Sequence, residues 1–257
     1  MTLETQATLE PPRRSATVLL VRDDPFQVLM VTRHQAATFA SALVFPGGAI
    51  DTDDESPEWL DVLEKDRSSA GLPPLDRAVR IGAIRETWEE ASILVAARSA
   101  TPSADPVTPA PHQFGQSLRS VVDALDARLN LTDLVEFAHW VTPKGQPRRY
   151  DTWFFLAEAP PNQPGVSDGT ETVGLEWISP AEAIAAAARG ERAIVFPTLM
   201  NLRRLAESST VAEALAAARA RAPFTVHPRR EIRADGVRML VVDAAAGYPV
   251  SGLPEPV

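Results

Sequence analysis

The amino-acid sequence predicts a protein of mixed α/β (α+β) class, and three observations carry that prediction. Two apolar strands surround a short polar turn near the start of the chain. A helix rich in Ala, Ile, Leu and Glu follows them. Further strands rich in aromatic and β-branched residues come next, and the last of them runs into a capped helix.

The strands are predicted from apolar runs bounded by turn residues. The first two flank the turn Asp23-Asp24-Pro25-Phe26. The last ends at Ser179, which is a suitable helix N-cap because Pro180 follows it at the first helical position. The predicted strands cover residues 13–22, 27–32, 135–142, 150–157 and 174–178.

Residues 75–97 contain no Pro and one Gly, which favours a helix. At about 100° per residue from Ile81, the apolar side chains of Ile84 and Trp88 fall in one arc with it. Three carboxylates fall on the opposite, outward side, at about 80°, 140° and 180°; they belong to Glu89, Glu86 and Glu90. Such neighbouring charges repel one another, and Mg²⁺ or Mn²⁺ would offset that repulsion with oxygen ligands.

A glutamate-rich helix face is most often only solvated, so a second signal is needed. It comes from the segment Phe45-Pro46-Gly47-Gly48. Two consecutive glycines permit backbone geometries closed to other residues and let the backbone approach a ligand closely.

Residues 45–51 and 85–90 together resemble the Nudix box, a glycine turn followed by Arg-Glu and a Glu-Glu pair on a helix. The resemblance implies the Nudix fold, a mixed sheet sandwiched between helices. It also implies metal-assisted hydrolysis of a diphosphate joined to another group. The metal ligands would be the Gly48 carbonyl with Glu86, Glu89 and Glu90, and Arg85 would orient the catalytic carboxylates.

The chain departs from the family pattern in several places. Gly48 and Arg85 are 37 positions apart, which is 23 more than in an uninterrupted box. The family glutamate six residues after the glycine is replaced by Asp54, and Thr87 and Ser92 replace an apolar residue and a glycine. We expect the insertion, residues 52–76, to contain a short helix or ordered loop that starts at Ser56 and packs beside the active site.

The interrupted box is similar to that of the Nudix branch that includes the peroxisomal coenzyme A diphosphatases, as are residues 140–143 and 148–156. The resemblance implies cleavage of coenzyme A or acyl-coenzyme A to 3′,5′-ADP and a phosphopantetheine product. Alternative substrates are ADP-ribose, NADH and nucleoside triphosphates. A further alternative is a binding or regulatory protein that keeps the fold without catalysis.

The formal net charge of −9 argues against a nucleic-acid partner and means that an anionic substrate needs local cations. The candidates for contacts with substrate phosphates are Arg33, Arg148 and Arg149. The water base is one of the box glutamates or a loop acid such as Glu171.

The remaining sequence defines the expected organisation of the chain. There is no Cys, no run of about 20 apolar residues and no basic, apolar start typical of a secretory signal, so we expect a cytoplasmic protein without membrane contact. Residues 1–12 are predicted to be a flexible terminus, and residues 13–205 the Nudix domain. Residues 206–257 are predicted to be an extension with a hairpin at Asp235-Gly236, which caps the substrate pocket or forms a homodimer interface.

Overall fold

The computed structural model describes residues 10–33, 42–64, 68–100, 107–146, 148–167, 169 and 172–254, with the side chain of Arg33 left out. Within these residues the chain forms thirteen strands. In chain order they are β1 Arg13–Arg22, β2 Gln27–Arg33, β3 Leu43–Val44, β4 Gly47–Ala49, β5 Ala97–Ser99, β6 Ala127–Leu129, β7 Val135–Val141, β8 Tyr150–Glu158, β9 Thr172–Ile178, β10 Thr225–Val226, β11 Arg229–Ile232, β12 Arg238–Val241 and β13 Gly252–Pro254.

Five α-helices accompany the strands in the same described part of the chain. They are α1 Pro74–Ala91, α2 Leu118–Ala124, α3 Pro180–Ala188, α4 Phe196–Leu205 and α5 Val211–Ala220. Helices α2, α3 and α5 begin at Ser117, Ser179 and Thr210, whose hydroxyl oxygens accept backbone N–H groups that the first turn leaves unpaired.

The central sheet has eight strands, six of them in the order β10-β7-β8-β1-β2-β3. Strand β4 pairs with β1, and β9 pairs with β2. The sheet is mixed, because β1 runs parallel to β8 and β7 parallel to β10 while the other pairs are antiparallel. This arrangement confirms the predicted sheet class.

Each face of the sheet is covered by helices, since side chains along a strand alternate between the two faces. On β1, Ala16, Val18 and Leu20 pack in one hydrophobic cluster with α1 and α2. Leu19 and Val21 pack in a second cluster with α3, α4 and α5. The sandwich expected from the sequence is therefore present.

The predicted strands are confirmed to within two residues at their ends. The predicted helix over 75–97 is wrong at its C-terminal end, because Ser92 adopts a left-handed conformation (φ 55°) and its N–H caps Trp88 O. Within residues 112–128 the α-helical part is Leu118–Ala124.

The insertion is ordered where the structure describes it. Two 3₁₀ helices cover Thr52–Glu55 and Pro57–Val62, and the second starts at Ser56 as predicted. Trp59 and Val62 belong to the same hydrophobic cluster as α1. Burial of Trp59, whose Nε1 donates to Asp53 O at 2.8 Å, fixes the insertion against the core.

The C-terminal part packs on the face opposite α1. Strands β11, β12 and β13 form a separate three-stranded sheet, with the hairpin at the predicted position. Val242, Ala246 and Leu253 belong to the cluster that contains α4 and α5. The domain boundary at residue 205 stays a prediction. No helix in the described residues is both long and apolar enough to cross a bilayer.

Candidate active site

Helix α1 is held between the sheet and the glycine turn. Its apolar face places Ile81, Ile84 and Trp88 in the core, all at 1% exposure or less. On another side it meets β4, which pairs with β1 in the register Ala16↔Gly48 and Thr17↔Gly47. The helix therefore presents its acidic residues to the backbone of the turn.

The glycine turn has no room for side chains. A Cβ on Gly48 would overlap the Glu86 carboxylate, because the backbone of the turn lies directly against that group. Gly82 on α1 has a similar role, since a Cβ there would lie 2.5 Å from Ile50 Cδ1 and 2.8 Å from Asp54 Oδ2. Both glycines allow a close approach of charged groups that any larger residue would block.

Arg85 organises the site with all five of its N–H donors. Nη1 donates to Glu86 Oε1 and to Glu89 Oε2, both at 2.9 Å. Nε and Nη2 form a bidentate pair with Asp54 at 3.0 Å each, and Nη2 also donates to Ala49 O at 2.8 Å. Burial alone would lower the pKa of Arg85, but Asp54 and Glu86 hold it above its usual value.

Asp54 is a site residue that was not among the predicted site residues. Its side chain is 1% exposed, and besides Arg85 it accepts the Asp51 N–H at 2.9 Å. It occupies the position six residues after Gly48 where the family pattern has Glu. An acid at that spacing was the available signal, and the structure shows that it anchors the guanidinium from the inserted segment.

The glutamates differ in burial and partners. Burial raises the pKa of Glu86 to about 7, with Arg85 opposing the rise and Glu89 adding to it. Burial also raises the pKa of Glu89, again against Arg85. Glu90 is 5% exposed, and its Oε2 accepts the Gly47 N–H at 2.9 Å. The expectation that all three carboxylates lie on an outward face is therefore wrong for Glu90, because the turn covers that side of α1.

The carboxylates of Asp54, Glu86 and Glu89 all pair with the one guanidinium of Arg85, so the ionised groups of this network carry more negative than positive charge. Among the described residues, no three acidic or histidine side chains stand close enough together to bind an ion as they are placed. The Arg85 guanidinium forms ion pairs with Glu86 and Glu89, and the Glu90 carboxylate accepts a hydrogen bond from a backbone N–H of the turn. The donors are nevertheless all oxygen, in a partly buried pair of carboxylates, Glu86 and Glu89, beside a backbone turn, and that set fits a hard divalent cation.

The other predicted site residues do not take part in the Arg85 network. Arg148 is exposed and borders a groove with Tyr150, whereas Arg149 Nε donates to Thr142 O at 3.2 Å. Arg33 is the last residue of β2 and pairs with Thr172 of β9, and its side chain is not among the described parts of the structure. Glu171 lies outside the described residues.

Comparison with known proteins shows the family to which this chain belongs. Residues 64–205, more than half of the chain, match the family described as the NUDT19 Nudix domain. The chain belongs to this family. Its Nudix fold is also that of a solved Nudix hydrolase from Alicyclobacillus acidocaldarius, with a TM-score of 0.68 and 27% identity over 81% of this chain and 97% of the other.

Curated relatives within the NUDT19 family carry a named activity. The chain is 28% identical to the acyl-coenzyme A diphosphatase NUDT19 of Homo sapiens over 79% of its length, and 31% identical to that of Gallus gallus over 78%. These matches cover 64% and 66% of the relatives, so the chain spans just under two thirds of their length.

Proposed function

We propose that this protein is a divalent-metal-dependent Nudix hydrolase that cleaves the phosphoanhydride of coenzyme A or acyl-coenzyme A. The names of the human and chicken relatives support the substrate class. Nudix hydrolases generally require a divalent metal ion, and Mg²⁺ or Mn²⁺ suits the oxygen donors of this site.

The observation that carries the proposal is the Arg85 network. One guanidinium fixes two carboxylates from α1, one from the insertion and the Ala49 carbonyl of the glycine turn. Groups held this firmly need little reorganisation when charge develops at a phosphoryl group. A solvated helix face would not be tied together in this way.

Each residue then has a role in hydrolysis. Glu86, Glu89 and the Gly48 carbonyl would hold the metal, with Glu90 beside them. The bound metal would polarise a phosphoryl oxygen and lower the pKa of the attacking water. Arg85 keeps Glu86 and Glu89 in place, and Glu90 fastens α1 to the turn through Gly47. Water adds to one phosphorus and the bridging P–O bond breaks, releasing 3′,5′-ADP and a phosphopantetheine product.

Other assignments are proposals of the same kind. A box glutamate or Glu171 would accept the proton of the water, and Arg33, Arg148 or Arg149 would contact substrate phosphates. The partner is a small-molecule diphosphate. A cytoplasmic location, a homodimer and the absence of nucleic-acid and membrane partners stay predictions.

A substrate panel tests the function. The purified protein is incubated with Mg²⁺ or Mn²⁺ and with coenzyme A, acyl-coenzyme A, NADH, ADP-ribose, dinucleoside polyphosphates or nucleoside triphosphates. We expect 3′,5′-ADP from the coenzyme A compounds and no product after EDTA treatment. Products from only the other compounds would contradict the substrate, and turnover in EDTA would contradict the mechanism.

A matched pair of variants tests the site itself. Glu89→Gln should lower kcat by about 10²-fold or more, because it removes a charged ligand where the metal acts. The control is Glu158→Gln at the exposed end of β8, which should leave kcat unchanged. Both proteins should keep the thermal midpoint of the parent, so that a lower rate reports on chemistry and not on folding. Equal rates for the two variants would remove Glu89 from the mechanism.

A further inference from the structure

A large groove lies on the face of the sheet opposite α1. Its volume is about 1600 Å³, and its walls come from the β7–β8 connection, helices α3 and α4, and the β11–β12 hairpin. Seven lysine or arginine side chains and no aspartate or glutamate line it among the described residues. In a protein with a net charge of −9, such a concentration of cations predicts an anionic ligand.

Arg203 on α4 is the cation that most needs a partner. In the described part of the chain its guanidinium makes no hydrogen bond or ion pair, and its Nε is buried with nothing to bind. By contrast, Arg192 and Arg229 at the same groove pair with Glu176 and Glu231. Arginine binds phosphate through parallel N–H donors, and Arg203 lines the groove, so its guanidinium is the candidate to bind a phosphate there.

The groove also has an apolar side. Trp140 and Phe154 from the sheet, and Phe196 and Leu199 from α4, line it together with Leu240 from the hairpin. The volume exceeds the roughly 300–1,000 Å³ of common small-molecule pockets. A ligand that fits both sides is a large molecule with an apolar part and at least one phosphate.

One end of the groove adjoins the catalytic region. Thr152 lines the groove, and its hydroxyl lies 2.7 Å from that of Ser15. Ser15 pairs with Ala49 across β1 and β4, and the Ala49 carbonyl accepts from Arg85. A substrate long enough to pass around β4 would therefore reach both the glutamates and the groove.

We propose that this groove binds the part of the substrate that carries a phosphomonoester away from the scissile diphosphate. Arg203 on α4 binds that phosphate, and Arg238, which lines the same groove from the hairpin of the C-terminal extension, is the second contact. The inference rests on the proposed function for the identity of the substrate, since coenzyme A carries such a 3′-phosphate. It assigns the extension to substrate recognition.

The test measures binding without turnover. Isothermal titration calorimetry in EDTA compares adenosine 3′,5′-bisphosphate with adenosine 5′-monophosphate, which lacks the second phosphomonoester. The variants are Arg203→Met and Arg238→Met, which keep an apolar stem and remove the charge. The control is Arg233→Met in the same hairpin, because Arg233 pairs with Asp235 and does not line the groove.

We expect the parent protein to bind the bisphosphate at least about tenfold more tightly than the monophosphate, since a charged hydrogen bond contributes roughly that factor. Arg203→Met should abolish most of this preference without lowering the thermal midpoint, and Arg233→Met should keep it. An equal affinity of the parent for both nucleotides, or an unchanged preference in Arg203→Met and Arg238→Met, would overturn the proposal.

Turnover separates this inference from the proposed function. In the parent, KM for coenzyme A should be lower than KM for dephospho-coenzyme A, and Arg203→Met should raise only the former while kcat stays constant. Hydrolysis of both compounds with equal KM would leave the reaction standing and overturn the groove assignment. A nucleotide preference that depends on Arg203, in a protein that hydrolyses neither compound, would support the groove and contradict the reaction.

Discussion

Asp54 should be as important to this site as the glutamates of the box. Replacing it by Asn keeps the shape and one oxygen but sets an NH₂ group against an arginine N–H. One of the two 3.0 Å bonds to Arg85 is then lost. A hydrogen bond to a charged group contributes about 1.5–3 kcal/mol, so the free energy of unfolding should fall by about that amount.

Two further variants bracket that value. Asp54→Ala removes both bonds from a guanidinium whose side chain is only 12% exposed, and should cost about 3–5 kcal/mol, as for a broken buried pair. Asp51→Asn removes a charge 3.8 Å from the same guanidinium on a side chain that is 60% exposed. Because that pair is solvated, its loss should cost about 1 kcal/mol or less.

Urea unfolding measures these differences, and a double-mutant cycle with Arg85→Lys isolates the Asp54–Arg85 contribution. The kcat/KM of Asp54→Asn should fall about tenfold or more, since Arg85 loses part of what orients it. If Asp54→Asn unfolds like Asp51→Asn and keeps full activity, Asp54 does not position the site.

Two other predictions concern charge and space at the same site. Burial raises the pKa of Glu86 to about 7, so the folded state favours the protonated form of this carboxyl group. The contribution of this group to the free energy of unfolding is fully present below about pH 4.5 and is lost as the pH rises through 7. In EDTA, the urea midpoint of Glu86→Gln should therefore be higher than that of the parent at pH 8, and the two midpoints should be equal at pH 4. A difference between the midpoints that does not change with pH would contradict the burial of this charge. Gly48→Ala should lower kcat by about tenfold or more with far-UV circular dichroism unchanged, because the new methyl group would displace Glu86; full activity would show that the turn has room to move.

The sequence predicted the elements that depend on local patterns. The strands of the sheet and the apolar face of α1 follow from periodicity, and the capped start at Ser179 follows from its side chain. The environment of Glu90 was less predictable. A helical projection describes one helix against one surface, whereas α1 is covered on two sides, and the second cover comes from the distant Gly47.

Long-range contacts explain the rest. The bond between Arg85 and Asp54 spans 31 positions and crosses the insertion, so spacing indicated an acid there without showing its partner. The groove cations come from four separate parts of the chain, and no local window contains more than a few of them. Arg148 was identified because it borders a strand, whereas Arg203 belongs to the pair Arg203-Arg204, which resembles an ordinary solvated pair on a helix.

The long connection between the glycine turn and α1 has an evolutionary consequence. The two halves of the box are joined by side-chain contacts, from Arg85 to Ala49 and Asp54 and from Glu90 to Gly47, and not by a short loop. The closure entropy of a flexible loop grows only with the logarithm of its length, so extending the connection from 14 to 37 positions costs about 0.9 kcal/mol. The closure cost of a longer connection at this point is therefore small, and a lineage could acquire new segments there while its reaction chemistry stayed constant.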